Sequence, residues 1–348
     1  TVSKQFFHLT TNNLPYSPTV PTIICFDKTD STNKVIILKR INRKTILTRK
    51  GSSMAEEIKI YVACHKESPV PKHPFLFPIQ VGAALTQERF PGMIPDDTGE
   101  NISAWNRSYC ELTAQYWAWK NDTAAWQGLF HYRRYLDFRR LYPPNTRVRP
   151  YWIAKKPTMQ VLHRAGYEPD QFLERLRPYE AVIPLPEEIG MTAKQQYASA
   201  PHHYVRDLHL ILELLRRESP QDWRAAEEYL NGTRLLFGNI FLMRRELLEH
   251  YCAWLFPLLA RYDEQKNVEG YSPQALRVDG YLAERLLGVF LTRQQKNVSI
   301  AYVPRIHFAG MDGLSTYWKK QAECFLLPPG SARRGAVRRF LRKNDIAL

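Results

Sequence analysis

The sequence predicts an α/β fold with a parallel core, on three observations. Short apolar, β-branched runs alternate with long helix-forming segments from Ile58 onward. The first run, residues 59–64 (KIYVAC), ends in a polar turn at His65 and Lys66. The helical segments carry leucines on one face, as Leu208, Leu212 and Leu215 do. Strands covered by helices produce this texture. The predicted strands are 59–64, 128–132 and 181–184; the predicted helices are 109–121, 204–217, 223–230, 244–262 and 280–291. In such sheets ligands sit beyond the carboxyl ends of strands, which directs attention to the segments after Cys64 and Tyr132.

Composition bounds the class. With 348 residues, 44% of them hydrophobic, 24% charged and 12% aromatic, the chain is globular rather than disordered or collagen-like. No apolar stretch reaches the roughly 18 to 20 residues of a membrane-spanning helix; the longest, 251–260, is split by Pro257. The N-terminus lacks a basic segment followed by an apolar run and a small-residue cleavage site, so the expected compartment is the cytoplasm. The five cysteines (Cys25, Cys64, Cys110, Cys252, Cys324) lie far apart and form no C-x-x-C pair, which argues for reduced, mostly buried thiols. Cys64 and His65 are adjacent in a strand and point to opposite faces, against a thiol–imidazole pair.

The formal charge of +15 is concentrated at the ends. Residues 1–53 carry nine basic side chains against Asp27 and Asp30, a net of +7. Residues 331–348 carry six against Asp345, a net of +5. The body is nearly neutral, so the charge does not describe a nucleic-acid-binding core. In the tail, Val337, Phe340 and Leu341 fall at helical spacing among arginines, the pattern of a basic amphipathic helix on an anionic membrane surface or of a solvated terminus. Residues 1–53 contain β-like runs at 22–26 and 34–38 and end in Gly51-Ser52-Ser53 before Met54. They read as an appendage, as the end of a preceding domain, or as extraneous sequence ahead of a native start. The expected organisation is therefore 1–53, a catalytic domain over 54–330, and a basic tail over 331–348.

Several constellations could carry chemistry. Residues 61–66 deliver His65 where a nucleotide would dock. Residues 95–101 place Asp96 and Asp97 in one Gly-containing turn, to hold a divalent cation, accept ribose hydroxyls or stabilise the turn itself. Residues 128–135 run a buried strand into His131, Arg133 and Arg134. Burying guanidinium groups without partners is costly, so these suggest a phosphate or diphosphate, unless they pair with acids such as Asp137. Residues 201–207 supply His202, His203 and Asp207; on a helix His203 and Asp207 would share a face, but a zinc site would be incomplete. Residues 279–285 supply Glu284 and Arg285, Glu284 as a base or sugar-hydroxyl acceptor, or the two as a pair on a solvated face. His307 stands in the short segment 306–310.

Taken in order, IYVACHK, PIQVGAAL, DDTGENIS, YCELTAQYWAWKN, GLFHYRRYL, HHYVRDL, GNIFLMRRELLEHYCAWLFPLL and GYLAERLL resemble a family of bacterial capsule, exopolysaccharide and O-antigen glycosyltransferase domains long catalogued as a domain of unknown function. The resemblance runs from about residue 59 to 304. It implies a GT-A-like, Rossmann-type nucleotide-binding sheet with a helical acceptor-binding part, a UDP-sugar donor and, from galactofuranosyltransferase members, transfer of galactofuranose or galactose. A looser similarity reaches glycogenin-like galactosyltransferases, whose Asn-x-Gly and His-x-x-Gly elements are similar to residues 238–241 (with Asn239) and 307–310. Their Asp-x-Asp metal motif is absent at the expected strand end, where residues 131–134 read His-Tyr-Arg-Arg. That departure suggests arginines in place of a metal, with a cation at Asp96 and Asp97 the remaining option.

Glycosyl transfer needs stabilisation of the departing diphosphate and, for inversion, a base for the acceptor hydroxyl. The resemblance assigns the first task to Arg133 and Arg134 with His65, His131, Asn239 and His307. Glu284 is the expected base, with Asp207 second, and Asp96, Asp97, His202, His203 and Arg285 are expected near ribose or acceptor. The implied partners are a UDP-sugar, a lipid-linked glycan, an anionic membrane surface reached through the tail, and other polysaccharide-assembly enzymes, with no nucleic acid. The competing readings are a polyanion-binding protein using its basic ends, which no nucleic-acid-binding signature supports, and a glycoside hydrolase, which would need two carboxylates across one sugar.

Overall fold

The computed structural model describes residues 56–337. The runs at 22–26 and 34–38 and the tail residues Phe340 and Leu341 lie outside the described residues.

The chain opens with β1 (Ile58–Cys64), β2 (Leu76–Gln80) and β3 (Ile94–Pro95), then α1 (Asn106–Tyr109), α2 (Leu112–Asn121), β4 (Trp126–His131), β5 (Arg134–Leu136) and β6 (Tyr151–Ala154). Next come α3 (Met159–Arg164), α4 (Pro169–Leu176), β7 (Ala181–Pro184), β8 (Glu187–Glu188), α5 (Ala193–Ser199), α6 (Val205–Glu218) and α7 (Pro220–Asn231). The remainder is β9 (Arg234–Leu235), β10 (Phe241–Arg244), α8 (Arg245–Asp263), α9 (Val278–Gln294), β11 (Ile300–Val303), β12 (Arg305–Phe308) and α10 (Leu314–Leu326).

The main sheet has the order β11-β7-β10-β4-β1-β2-β3. β1 is parallel to β2 on one side and to β4 on the other, while β7 and β11 form a second parallel pair. β10 interrupts them, antiparallel to both β4 and β7, with Leu242 opposite Gly128 and Val182. The expected α/β fold is thus present as a mixed, mostly parallel central sheet. Both faces are covered, which is why β1 is apolar throughout its second half. Tyr61 and Ala63 enter a core with residues of α2 and α6 to α9, whereas Ile60, Val62 and Cys64 enter a second core with Phe130, Leu162 and Phe172. Gly128 is required where strands crowd: a β-carbon there would lie 3.0 Å from the Phe241 carbonyl oxygen and 3.1 Å from Ile60.

The connections leave a crevice. From β1 the chain passes outward to β2 and β3, then crosses back through α1 and α2 to β4 on the other side, so the strand order reverses between β1 and β4. Ligand crevices form at such a switch, beyond the carboxyl ends of the strands.

The buried strand expected at 128–132 is present as β4, and the chain turns back at Tyr132 and Arg133, pairing His131 with Arg134. Two sequence expectations are corrected. The helix expected from 204 begins at Val205, so His203 precedes it and shares no helical face with Asp207. The helix expected from 244 begins at Arg245, because Arg244 is the last residue of β10. Helix α8 absorbs Pro257 because the residue sits on the exposed side, where the missing N–H and the bend are tolerated. Among the described residues no helix is long and apolar enough to cross a membrane.

Candidate functional site

At the switch between β1 and β4 lies a cavity of about 570 Å³. Its floor is the strand ends, Ala63 and His65 from β1 and His131 and Arg133 from the β4–β5 turn. One wall is the α1–α2 junction, with Asn106, Arg107, Cys110 and Glu111; the other is the approach to α9, with Pro273, Leu276 and Arg277. Three arginines and two histidines face one carboxylate, Glu111. That balance favours an anionic ligand.

Arg133 is held by Asp312 through two bonds of 2.7 and 2.9 Å and remains partly exposed beside the cavity. The expected partner, Asp137, instead pairs with Arg139. Arg134 has no carboxylate partner among the described residues. It lies opposite His131 in β4 and opposite His307 in β12, and its guanidinium comes within 3.4 Å of the space a Gly238 side chain would fill. Gly238 adopts φ +77°, which favours glycine, and the absent β-carbon leaves room beside that cation.

Burial, and then these charges, keep the imidazoles neutral. Burial, then Arg134 and Arg133, holds His131 well below the usual range; burial, then Arg305 and Arg134, does the same to His307. His65 is lowered by burial, then Arg133. His307 stacks on Tyr151 with ring centroids 4.5 Å apart, and its Nε2 is buried without a hydrogen-bond partner. A neutral imidazole with an unfilled position beside an unpaired guanidinium is arranged to receive an oxyanion. Cys110 lines the cavity, but burial pushes its thiol up to about 12, as it does for Cys64, so neither supplies a thiolate near neutrality.

Residues 59–296 match the model of a family described as a domain of unknown function, DUF4422. The chain belongs to the DUF4422 family. No curated protein matches it. Among solved structures it is similar to the apo form of WbbM, a bifunctional glycosyltransferase, with a TM-score of 0.67 and 25% identity over 72% of this chain. The chain spans 45% of the length of WbbM.

In this DUF4422 chain the predicted residues separate into groups. His65, His131 and Arg133 meet at the cavity, and Arg134 and His307 stand together across β5 and β12. Asn239 is buried: its Nδ2 donates to Glu111 Oε1 at 2.8 Å and to the Gly280 carbonyl at 3.2 Å, so it positions Glu111. Glu284 does not line the cavity. One oxygen accepts from the Gly238 N–H at 2.5 Å and the other from Arg285, which is itself buried and also bound to Gln196. The Glu284–Arg285 pair, expected on a solvated face, is therefore an interior brace beneath the Gly238 turn.

Other expectations fall away. Asp207 is buried and accepts from the Tyr262 and Tyr271 hydroxyls, a packing role remote from a base. Asp96 is fully buried and accepts from the Gly82 and Ala83 N–H groups and from Ser103, while Asp97 pairs with Arg89. The bonds observed there stabilise the turn itself, Asp96 through backbone N–H groups and Ser103 and Asp97 through Arg89. Among the described residues no three His, Cys, Asp or Glu side chains group to hold a metal. His202 is exposed; His203 stacks on Tyr281 at 4.1 Å, outside the cavity lining.

Sequence reasoning missed Glu111, Arg107 and Arg277. Glu111 stood in YCELTAQYWAWKN as one acid at a helix start, and only the Asn239 contact, 128 residues away, marks it.

Proposed function

We propose that this chain transfers a sugar from a UDP-sugar, bound in the cavity between β1 and β4, to a hydroxyl of a growing bacterial surface polysaccharide. The observation that carries the reading is the cavity's composition: three arginines, two neutral histidines and a single carboxylate at the carboxyl ends of two parallel strands. Similarity to WbbM over 72% of the chain supports glycosyl transfer as the chemistry. A glycoside hydrolase would require two carboxylates across one sugar, and the lining holds one.

In this reading the diphosphate lies against Arg133 and the His131 ring at the strand ends and reaches past the lining toward Arg134 and His307, with Arg107 and Arg277 closing the mouth. Asn239 holds Glu111 by one oxygen, leaving Oε2 to act. The acceptor hydroxyl oxygen bonds to the anomeric carbon as the bond from that carbon to the diphosphate oxygen breaks. The electron pair leaves with UDP, where the arginines offset its charge, and the hydroxyl proton goes to Glu111. Galactofuranose or galactose is the proposed sugar, an O-antigen or capsule glycan on a lipid carrier the proposed acceptor, and other polysaccharide-assembly enzymes the proposed neighbours. The test is UDP release across UDP-galactofuranose, UDP-galactopyranose and UDP-glucose with glycan acceptors. Turnover of one donor above the others supports the reading, and none with any donor or acceptor would overturn it. Full activity in chelator would assign charge neutralisation to the arginines alone.

A further inference from the structure

Helix α10 buries none of its side chains fully, an unusual state for thirteen residues following a packed strand. At about 100° per residue, Tyr317, Gln321 and Cys324 fall on one side. There Gln321 donates to the Ile153 carbonyl, and Tyr317 and Cys324 pack on Tyr151 and Ile153 of β6. The adjacent side carries Leu314, Trp318, Phe325 and Leu326, exposed by 54, 67, 84 and 63%. Successive turns align these four into one outward apolar strip, about a third of the circumference wide. Single exposed apolar residues are ordinary, but a continuous strip with an aromatic pair marks an interaction surface.

The surroundings indicate what covers it. Lys319 stands beside the strip and has no carboxylate partner among the described residues. Beneath the helix, a second cavity of about 520 Å³ is lined by Phe325, Cys324 and Tyr317 together with Arg149, Lys155 and Arg164. None of these three cations has a carboxylate partner among the described residues either. The chain continues from this corner into residues 331–348, whose sequence adds a net +5. An apolar strip with tryptophan and phenylalanine, rimmed by unpaired cations, matches a surface made of hydrocarbon below and anionic headgroups above.

We propose that α10 lies in the interface of an anionic bilayer, with Leu314, Trp318, Phe325 and Leu326 inserted and the Arg149–Lys155–Arg164 cavity facing lipid phosphates. The helix, and not the tail alone, is the anchor. Docking is independent of the chemistry at β1 and β4, so vesicle binding and UDP release are separate readouts.

The experiment is co-sedimentation of the full chain with vesicles of phosphatidylethanolamine and phosphatidylglycerol, against pure phosphatidylcholine. Binding is expected to the anionic vesicles, weakening as salt rises. Trp318→Glu with Phe325→Glu, both at exposed positions, should reduce the bound fraction at least tenfold while leaving the circular dichroism spectrum and UDP release unchanged. Lys319→Glu should weaken binding to anionic vesicles alone. Undiminished sedimentation of the Trp318/Phe325 variant overturns the proposal, as does a wild-type protein that binds neither vesicle. If that variant instead converts a dimer to a monomer in analytical ultracentrifugation with no change in lipid binding, the strip is a protein interface and the proposal fails.

Discussion

Asn239 and Glu111 are joined by a 2.8 Å hydrogen bond that ties the loop before β10 to the start of α2. The amide fixes one oxygen of the single carboxylate that lines the cavity, and Oε2 has no hydrogen-bond partner among the described residues. Glu111→Gln should therefore lower kcat by roughly 10² or more with donor affinity little changed. Glu284→Gln should keep kcat within several-fold and instead lower thermal stability, because the Gly238 turn loses a charged acceptor. Steady-state kinetics on the two variants separate the roles; the reverse pattern would return the base to α9.

Arg134 is a cation without a carboxylate counterion among the described residues, so a ligand gains its full charge-assisted bond. Such bonds contribute about 1.5–3 kcal/mol, and tenfold in affinity corresponds to about 1.4 kcal/mol. Arg134→Ala should weaken UDP binding by about ten- to a hundredfold in calorimetry, and an unchanged Kd would remove this residue from the site.

The histidines give a pH signature. His131, His307 and His65 sit below the ordinary imidazole value, of about 6.5, in the free protein, chiefly through burial and then through neighbouring cations. A bound diphosphate favours the imidazolium form and raises those values, so the complex carries more protons than the free protein. Affinity for a UDP-sugar, whose diphosphate diester does not titrate near neutrality, should rise as pH falls from about 8 to about 6, with proton uptake measurable by calorimetry in buffers of different ionisation enthalpy. Flat affinity and no uptake would contradict the arrangement. The same depression acts oppositely on folding: the unfolded chain binds protons that the folded chain refuses, so stability contributed by these groups is present above about pH 6.5 and declines as pH falls below it.

Asp207 is a structural acid. Asp207→Asn should destabilise by about 1–3 kcal/mol in denaturant titrations, because the buried Tyr262 hydroxyl and the half-buried Tyr271 hydroxyl lose a charged acceptor. Its kcat at a permissive temperature should stay near wild type; a hundredfold loss would make it a participant in the reaction.

How much of this was legible in the sequence follows the range of the interactions. β1, β4, β7 and α6 to α9 were readable because their apolar periodicity is local, and the strand at 181–184 matches β7 end to end. β10 was not: Phe241–Arg244 runs without a break into α8, and three apolar residues and an arginine before a helix carry no separate period. β5, β6 and β12 are three or four residues each and exist by pairing across the chain, as Arg305 does with Leu136 and Tyr151. The site divides in the same way. Arg133, Arg134 and His131 were visible because a buried strand leads straight into them. Asp207 misled because four-residue spacing places two side chains together only within a helix, and α6 begins after His203. The cavity's other walls bring residues 106–111 and 273–277 together, a juxtaposition written only in the fold.

The most direct test of the central claim is a crystal structure of the full chain with UDP. The account predicts the diphosphate at the carboxyl ends of β1 and β4, with Arg133 or Arg134 within hydrogen-bond distance of a phosphate oxygen and uracil and ribose in the cavity beside Glu111. A nucleotide bound elsewhere, with both arginines making no contact to it, would contradict it.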